Sequence, residues 1–185
     1  MKNILIAVSG PSGVGKGTIV KELLKKRSDL AMSVSCATRE PRKGEVHGKD
    51  YFFIAKEEFL ARIDEGDFLE YDEHFGNYYG TPKSFVKEAL KEKSVILEID
   101  VVGALNAKKA FPECVLIMIV PPSKEELKKR LIGRNSESPR EVEERLSRLE
   151  YELSKKDEYD YEVINGDLKL AVLQIESIIE KEKNK

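Results

Sequence analysis

Gly10-Pro11-Ser12-Gly13-Val14-Gly15-Lys16-Gly17-Thr18 concentrates more usable chemistry than any other stretch of the chain. The spacing G-x-x-x-x-G-K lets glycines turn backbone N–H groups inward around an anion, while Lys16 brings a cation to the same place. Such a loop works between a strand and a helix, and the sequence encodes both. Ile4-Leu5-Ile6-Ala7-Val8-Ser9 is a β-branched apolar run of the kind that makes a buried strand. Ile19, Val20, Leu23 and Leu24 then share one helix face, with Lys21, Glu22, Lys25 and Lys26 on the other. The arrangement implies a bound nucleoside triphosphate. One detail departs from the strict pattern: Gly17 follows Lys16, and the hydroxyl arrives a residue later as Thr18.

A second concentration of chemistry runs from Ser33 to Glu45 (SVSCATREPRKGE) and on through Gly48-Lys49-Asp50-Tyr51. Two arginines three apart, a lysine, hydroxyls and a tyrosine suit a phosphate monoester, because a guanidinium fork grips phosphate oxygens in pairs. Taken alone, the same residues also describe a solvated charged loop. Lys128, Lys129, Arg130 and Arg134 form a further basic group. These local clusters matter because the net charge is only −2, which excludes general attraction to nucleic acid or a membrane surface.

The 185 residues suit a single domain, and 41% hydrophobic with 36% charged content describes a globular protein. There is no apolar run of the roughly 18 residues that a membrane span requires. The opening MKNILIAVSG leads straight into the loop, so it reads as the first strand and not as a leader. Two cysteines, Cys36 and Cys114, make no disulfide framework and fit a reduced, cytoplasmic setting. The histidines, His47 and His74, have no zinc-like spacing to them, so no metal site built from protein ligands is expected. Abundant Lys and Glu with a single glutamine, Gln174, fit either growth at high temperature or a biased genome.

The elements that must position these residues alternate. Strand-like runs recur at Ile4–Ser9, Val95–Ile99, Val115–Val120 and Tyr161–Ile164, with helical patterns between or beside them. Ser123-Lys124-Glu125-Glu126 and Ser138-Pro139-Arg140-Glu141 are capping boxes. Asp167 is placed to cap a last helix whose stripe is Leu168, Ala171, Val172, Ile175, Ile178 and Ile179. The pattern predicts an α/β fold, a three-layer core of the phosphate-loop NTPase type with a mainly parallel sheet. Residues 33–81 differ, with short strands at Asp50–Ile54 and Phe68–Tyr71 and a helix near Glu57–Ile63; they read as a small mixed α+β insertion. The polar stretch Gly133–Pro139 suits a mobile lid. The predicted division is core 1–32, 82–132 and 141–185, insertion 33–81 and lid 133–140.

The phosphate loop, SVSxxTRxPRxGE, GKDYFF, FLEY, GNYYGTP, LEID, VPPS and LKKRLIGR together resemble the guanylate kinase family, in that family's order and across essentially the whole chain. The resemblance implies transfer of the γ-phosphoryl of ATP to GMP, giving ADP and GDP, with Mg²⁺ accompanying ATP and dGMP a candidate acceptor. It places GMP on Ser35, Arg39, Arg42, Tyr51, Glu70, Tyr79, Thr81 and Asp100. Arg39, Arg42, Tyr51 and Tyr79 would hold its phosphate, and Ser35, Glu70, Thr81 and Asp100 would surround the guanine. Ser12, Gly13, Val14, Gly15, Lys16, Gly17 and Thr18 would hold the ATP phosphates, with Arg134 and Asn165 near the adenine. Lys16, Arg39, Arg130 and Arg145 would be catalytic, and Thr18 and Glu98 would reach Mg²⁺ through water. The chain departs from the family pattern at Ala37 (usually Thr), Gly17 (often Ser) and Glu98 (more commonly Asp). The expected protein is a monomer or homodimer with small-molecule partners.

A GMP phosphate is already an anionic nucleophile, which fits a sequence without a Ser/His or Cys/His arrangement. Two other readings are weighed. A different phosphate-loop kinase, for AMP or a sugar phosphate, is opposed by the Glu70 and Tyr79 motifs. A non-catalytic interaction module is opposed by the intact Gly10, Gly15, Lys16 and arginines.

Overall fold

A computed structural model describes residues 2–74, 76–123, 125–127 and 149–185. The expected lid 133–140 and the second capping box, 138–141, lie outside the described residues. The centre is a sheet of five strands, all parallel: β2 (Leu30–Met32), β7 (Ser94–Glu98), β1 (Leu5–Ser9), β8 (Val115–Val120) and β9 (Tyr161–Ile164), in that order. Every residue of β1 and β8 is buried, as a parallel sheet between two helical layers requires.

Strand alternation sends neighbours to opposite faces. Ile6, Val8, Ile117 and Ile119 pack with Ile19, Val20 and Leu23 of α1 (Lys16–Lys26) and with Val172, Ile175 and Ile179 of α5 (Leu168–Lys183). Leu5, Ala7, Leu97 and Leu116 face the other way, against Val86 of α3 (Lys83–Ala89) and Ala104 and Ala107 of α4 (Val101–Ala110). Asp167 caps α5, its carboxylate accepting the Leu170 N–H at 3.0 Å. Leu168 leaves the expected stripe and is 36% exposed. Helical side chains lean toward the N-terminus, so the first residue of α5 points past the end of the packed layer.

A second, four-stranded sheet has the order β4-β3-β6-β5, from β3 (Cys36–Ala37), β4 (Phe52–Phe53), β5 (Phe68–His74) and β6 (Asn77–Pro82). It is mixed: β4 runs parallel to β3, while β6 is antiparallel to both β3 and β5. Its small core centres on Phe59 of α2 (Lys56–Asp64), stacked on Phe68 with ring centroids 4.3 Å apart, and on buried Cys36. The strand expected at Asp50–Ile54 shrinks to Phe52–Phe53, because the Asp50 carboxylate turns back to accept the Val46 N–H at 2.7 Å. The strand expected to stop at Tyr71 continues to His74, paired along its length with β6. Packing of β5 against α4 brings this sheet beside the C-terminal end of β7. Among the described residues no helix is long and apolar enough to cross a membrane.

Candidate functional site

At the carboxyl end of β1 the chain turns at Gly10, where φ is +141° and a Cβ would sit 2.2 Å from the Ile119 carbonyl oxygen. Gly15 caps α1 at φ +102°, and a Cβ there would meet the Asn165 amide nitrogen at 2.5 Å. Gly15 has no side chain to cap the helix, so the first-turn N–H groups of α1 stay available to an anion at its positive end. Asn165 is buried beneath the loop and donates to the Val14 carbonyl at 2.7 Å. This residue, expected near the adenine, braces the loop from below. Lys16 folds over the loop, its Nζ donating to the Gly10 and Pro11 carbonyls at 2.6 and 3.1 Å. Burial lowers the pKa of its ammonium, and the fields of Glu152, Glu98 and Asp100 oppose that shift. Loop and carboxylates enclose a cavity of about 380 Å³ lined by Gly10, Ser12, Lys16, Glu98, Asp100 and Glu152.

Ile99 and Asp100 also line a second cavity, of about 430 Å³, with Ser35, Tyr51, Glu70 and Tyr79 on its other sides. Asp100 is held by its own structural duty, accepting the Gly103 N–H at 2.7 Å as the N-cap of α4. That cap ends β7 at Glu98 and leaves Ile99 outside the strand, one residue earlier than the apolar run implies. Across the cavity the Thr81 hydroxyl donates to Glu70 Oε1 at 2.7 Å, and Ser35 Oγ lies 2.9 Å from Thr81 Oγ1. A hydroxyl has one proton, so Ser35 must donate to Thr81, which fixes one Glu70 oxygen within the chain of bonds. Burial raises the Glu70 carboxyl above the usual range, against the pull of the Thr81 hydrogen bond.

At the rim, Arg39 grips Glu45 with both arms of its fork, at 2.6 and 2.7 Å. That bond holds the Glu45 carboxyl down to about 2, helped by the Arg42 backbone N–H. The Arg39 guanidinium lies 5.3 Å over the Tyr51 ring, and Tyr51 meets Tyr79 edge-on at 6.1 Å. Arg39 Nε is buried and has no partner among the described residues.

The fold thus brings Ser12, Lys16, Glu98 and Asp100 to one cavity, and Ser35, Tyr51, Glu70, Tyr79 and Asp100 to its neighbour. Thr81 joins the second through Glu70, while Arg42 and Thr18 are exposed. Arg130, Arg134 and Arg145 lie outside the described residues. Sequence reasoning missed Glu45 and Glu152. Glu45 stood among the arginines, where a carboxylate signals an internal partner. Glu152 comes from a helix at 149–154 and carries no local signal. Both cysteines are buried, with thiols pushed up to about 12, so neither serves as a nucleophile.

The guanylate kinase family profile matches residues 2–182. A guanylate kinase of Clostridioides difficile is 50% identical over 185 residues, covering 100% of this chain and 90% of the relative. One from Caldanaerobacter subterraneus is 50% identical over 183 residues, covering 98% of this chain and 89% of its own length. The crystal structure of guanylate kinase from Anaplasma phagocytophilum matches with a TM-score of 0.73 and 34% identity, over 100% of this chain and 88% of that one.

Proposed function

The chain belongs to the guanylate kinase family, enzymes that phosphorylate GMP to GDP with ATP, and from that premise we propose which of its residues carry the transfer. The observation that carries the assignment is the pair of cavities with Ile99 and Asp100 as their common wall. One holds the phosphate loop and the other a buried carboxylate network, which suits a donor phosphate chain meeting an acceptor.

On this reading residues 10–18 hold the ATP phosphates, with Lys16 as the mobile cation. Arg39, Arg42, Tyr51 and Tyr79 hold the GMP phosphate, and Ser35, Glu70, Thr81 and Asp100 surround its base. Guanine offers N1–H and N2–H₂ as adjacent donors, and the ionised Glu70 carboxylate accepts them while Thr81 steadies it. Adenine turns a bare acceptor toward the same carboxylate, leaving both unpaired. The GMP phosphate is the nucleophile, so the chain needs no general base. Its residues position the two phosphates and meet the charge that develops between them. Arg130 and Arg145 are assigned to that charge by resemblance, and residues 133–140 to a mobile lid by their polar composition.

The donor set fits Mg²⁺ carried in with ATP. Among the described residues no cluster of three acidic, histidine or cysteine side chains is placed to hold a metal. The carboxylates of Glu98 and Asp100 nevertheless line the loop cavity, and Mg²⁺ takes most of its ligands from phosphates and water. Glu98 and Thr18 would hold it through water, and it would supply neutralising charge to the ATP phosphates. Coupled ADP release across a panel of nucleoside monophosphates tests the whole reading. Release is expected with GMP and far less with AMP, CMP or UMP; equal release with AMP would overturn the assignment of the base pocket.

A further inference from the structure

Gly17 and Glu98 are two positions where the chain departs from the pattern it resembles, and in the fold they meet. Gly17 is the second residue of α1, and Glu98 is the last of β7. A Cβ added at Gly17 would lie 3.1 Å from Glu98 Oε1 and 3.6 Å from Oε2. The first distance is tighter than ordinary van der Waals contact, so a side chain at 17 would push the Glu98 carboxylate, the free end of its side chain, aside by a few tenths of an ångström. Glu98 stands between two hollows: with Gly17 it lines a groove along α1, and with Lys16 and Ser12 it lines the loop cavity, where the Lys16 charge acts on its half-buried carboxylate. The first turn of α1 also favours an anion there.

We propose that Gly17 and Glu98 are one coupled unit, in which the bare glycine admits the longer carboxylate and Glu98 supplies the cation-facing oxygen that a hydroxyl at 17 would otherwise supply. The carboxylate reaches farther than an aspartate by one methylene, and that reach is useful only while position 17 carries no side chain. An aspartate beside Gly17 leaves the volume between them unfilled, and a serine beside Glu98 displaces the carboxylate from its present position. The matched pairs are therefore Gly with Glu and Ser with Asp. The inference rests on the reading in which Mg²⁺ arrives with the nucleotide.

The test is a double-mutant cycle on ADP affinity, measured by calorimetry with Mg²⁺ and again with EDTA. The proteins are the parent, Gly17→Ser, Glu98→Asp and the double variant, with thermal midpoints confirming that each is folded. The parent should bind ADP more tightly with Mg²⁺. Each single variant should lose about tenfold of that gain, the loss typical of a displaced metal-facing group. The double variant should recover to within about threefold of the parent, a residual coupling small beside the single losses. In EDTA all four should bind alike. Losses that simply multiply in the double variant would overturn the coupling. A further pair, Gly17→Ala with Glu98→Asp, fills the volume without offering a hydroxyl and should stay weak. Its full recovery would reduce the contact to packing and overturn the assigned oxygen. A parent protein that gains nothing from Mg²⁺ would overturn the metal reading itself, and is recognised before any variant is made.

Discussion

Around the phosphate loop the decisive polar groups belong to the main chain. Gly10 and Gly15 set its path, Asn165 braces it through the Val14 carbonyl, and Lys16 Nζ rests on the carbonyls of Gly10 and Pro11. Across the wall of Ile99 and Asp100 the decisive groups are side chains already bound to one another. Ser35, Thr81 and Glu70 form one chain of hydrogen bonds, Arg39 and Glu45 another pair, and Asp100 caps α4. A backbone cradle depends little on side-chain identity away from Gly10 and Gly15, where a Cβ would clash. A cradle of paired side chains is selective, because each substitution leaves a partner exposed or unsatisfied. The two regions should therefore fail differently.

The largest effect should come at Lys16, the loop side chain proposed to meet the transferring group. Lys16→Ala should lower kcat by about 10²–10³-fold, the loss seen when a charge-stabilising group is removed from a transfer site. Its thermal midpoint should barely move, since the backbone still shapes the loop. Near-normal turnover in steady-state assays would remove the loop from catalysis.

A smaller, one-sided effect is expected at the rim. Arg39→Ala should raise KM for GMP by about tenfold, the worth of a charge-assisted hydrogen bond, and leave KM for ATP nearly unchanged. Arg39→Lys should restore only part of this, because a point charge cannot reproduce the fork. Equal weakening of both substrates would merge the two regions into one.

The smallest effect lies outside both. Asp29 binds Arg27 at 2.7 and 2.8 Å and the buried Lys183 at 2.6 Å, tying the ends of α1 and α5 together. Its carboxyl is held well below the usual range, chiefly by the Arg27 hydrogen bond. A depressed folded pKa means stability that is present above the unfolded value, about 3.9, and lost as pH falls below it. Asp29→Asn should cost about 1 kcal/mol at neutral pH, discounted for solvent screening because the carboxylate is partly exposed. Denaturant titrations should show the difference shrinking toward pH 2, with both KM values unchanged. A shift in either KM would show that the core rim is coupled to a site.

The same contrast explains what the sequence disclosed. The loop is contiguous and its glycines are imposed by local backbone geometry, so residues 10–18 were legible with their flanking strand and helix. Four of the central strands were legible from their apolar runs, as in Val115–Val120, whereas β2, only Leu30–Met32, is too short to leave one. The second sheet was legible only in part. Cys36–Ala37 is too short to leave a periodicity, and Asn77–Pro82 carries a glycine and a proline that signal a turn. Its residues could be named through a family pattern, whereas the Arg39–Glu45 pair and the approach of Glu98 to Gly17 exist only once the chain is folded.

The central claim is that side chains on the acceptor side read the base while the loop does not. Its most direct measurement is kcat/KM for GMP and for AMP in the parent protein and in Glu70→Gln. Replacing the carboxylate removes a charged acceptor, so GMP use should fall by about 10–100-fold with AMP little changed, and the GMP/AMP ratio should shrink by the same factor. KM for ATP should stay where it was. An unchanged ratio would contradict the account, because the guanine would then be read somewhere other than the Ser35–Thr81–Glu70 network.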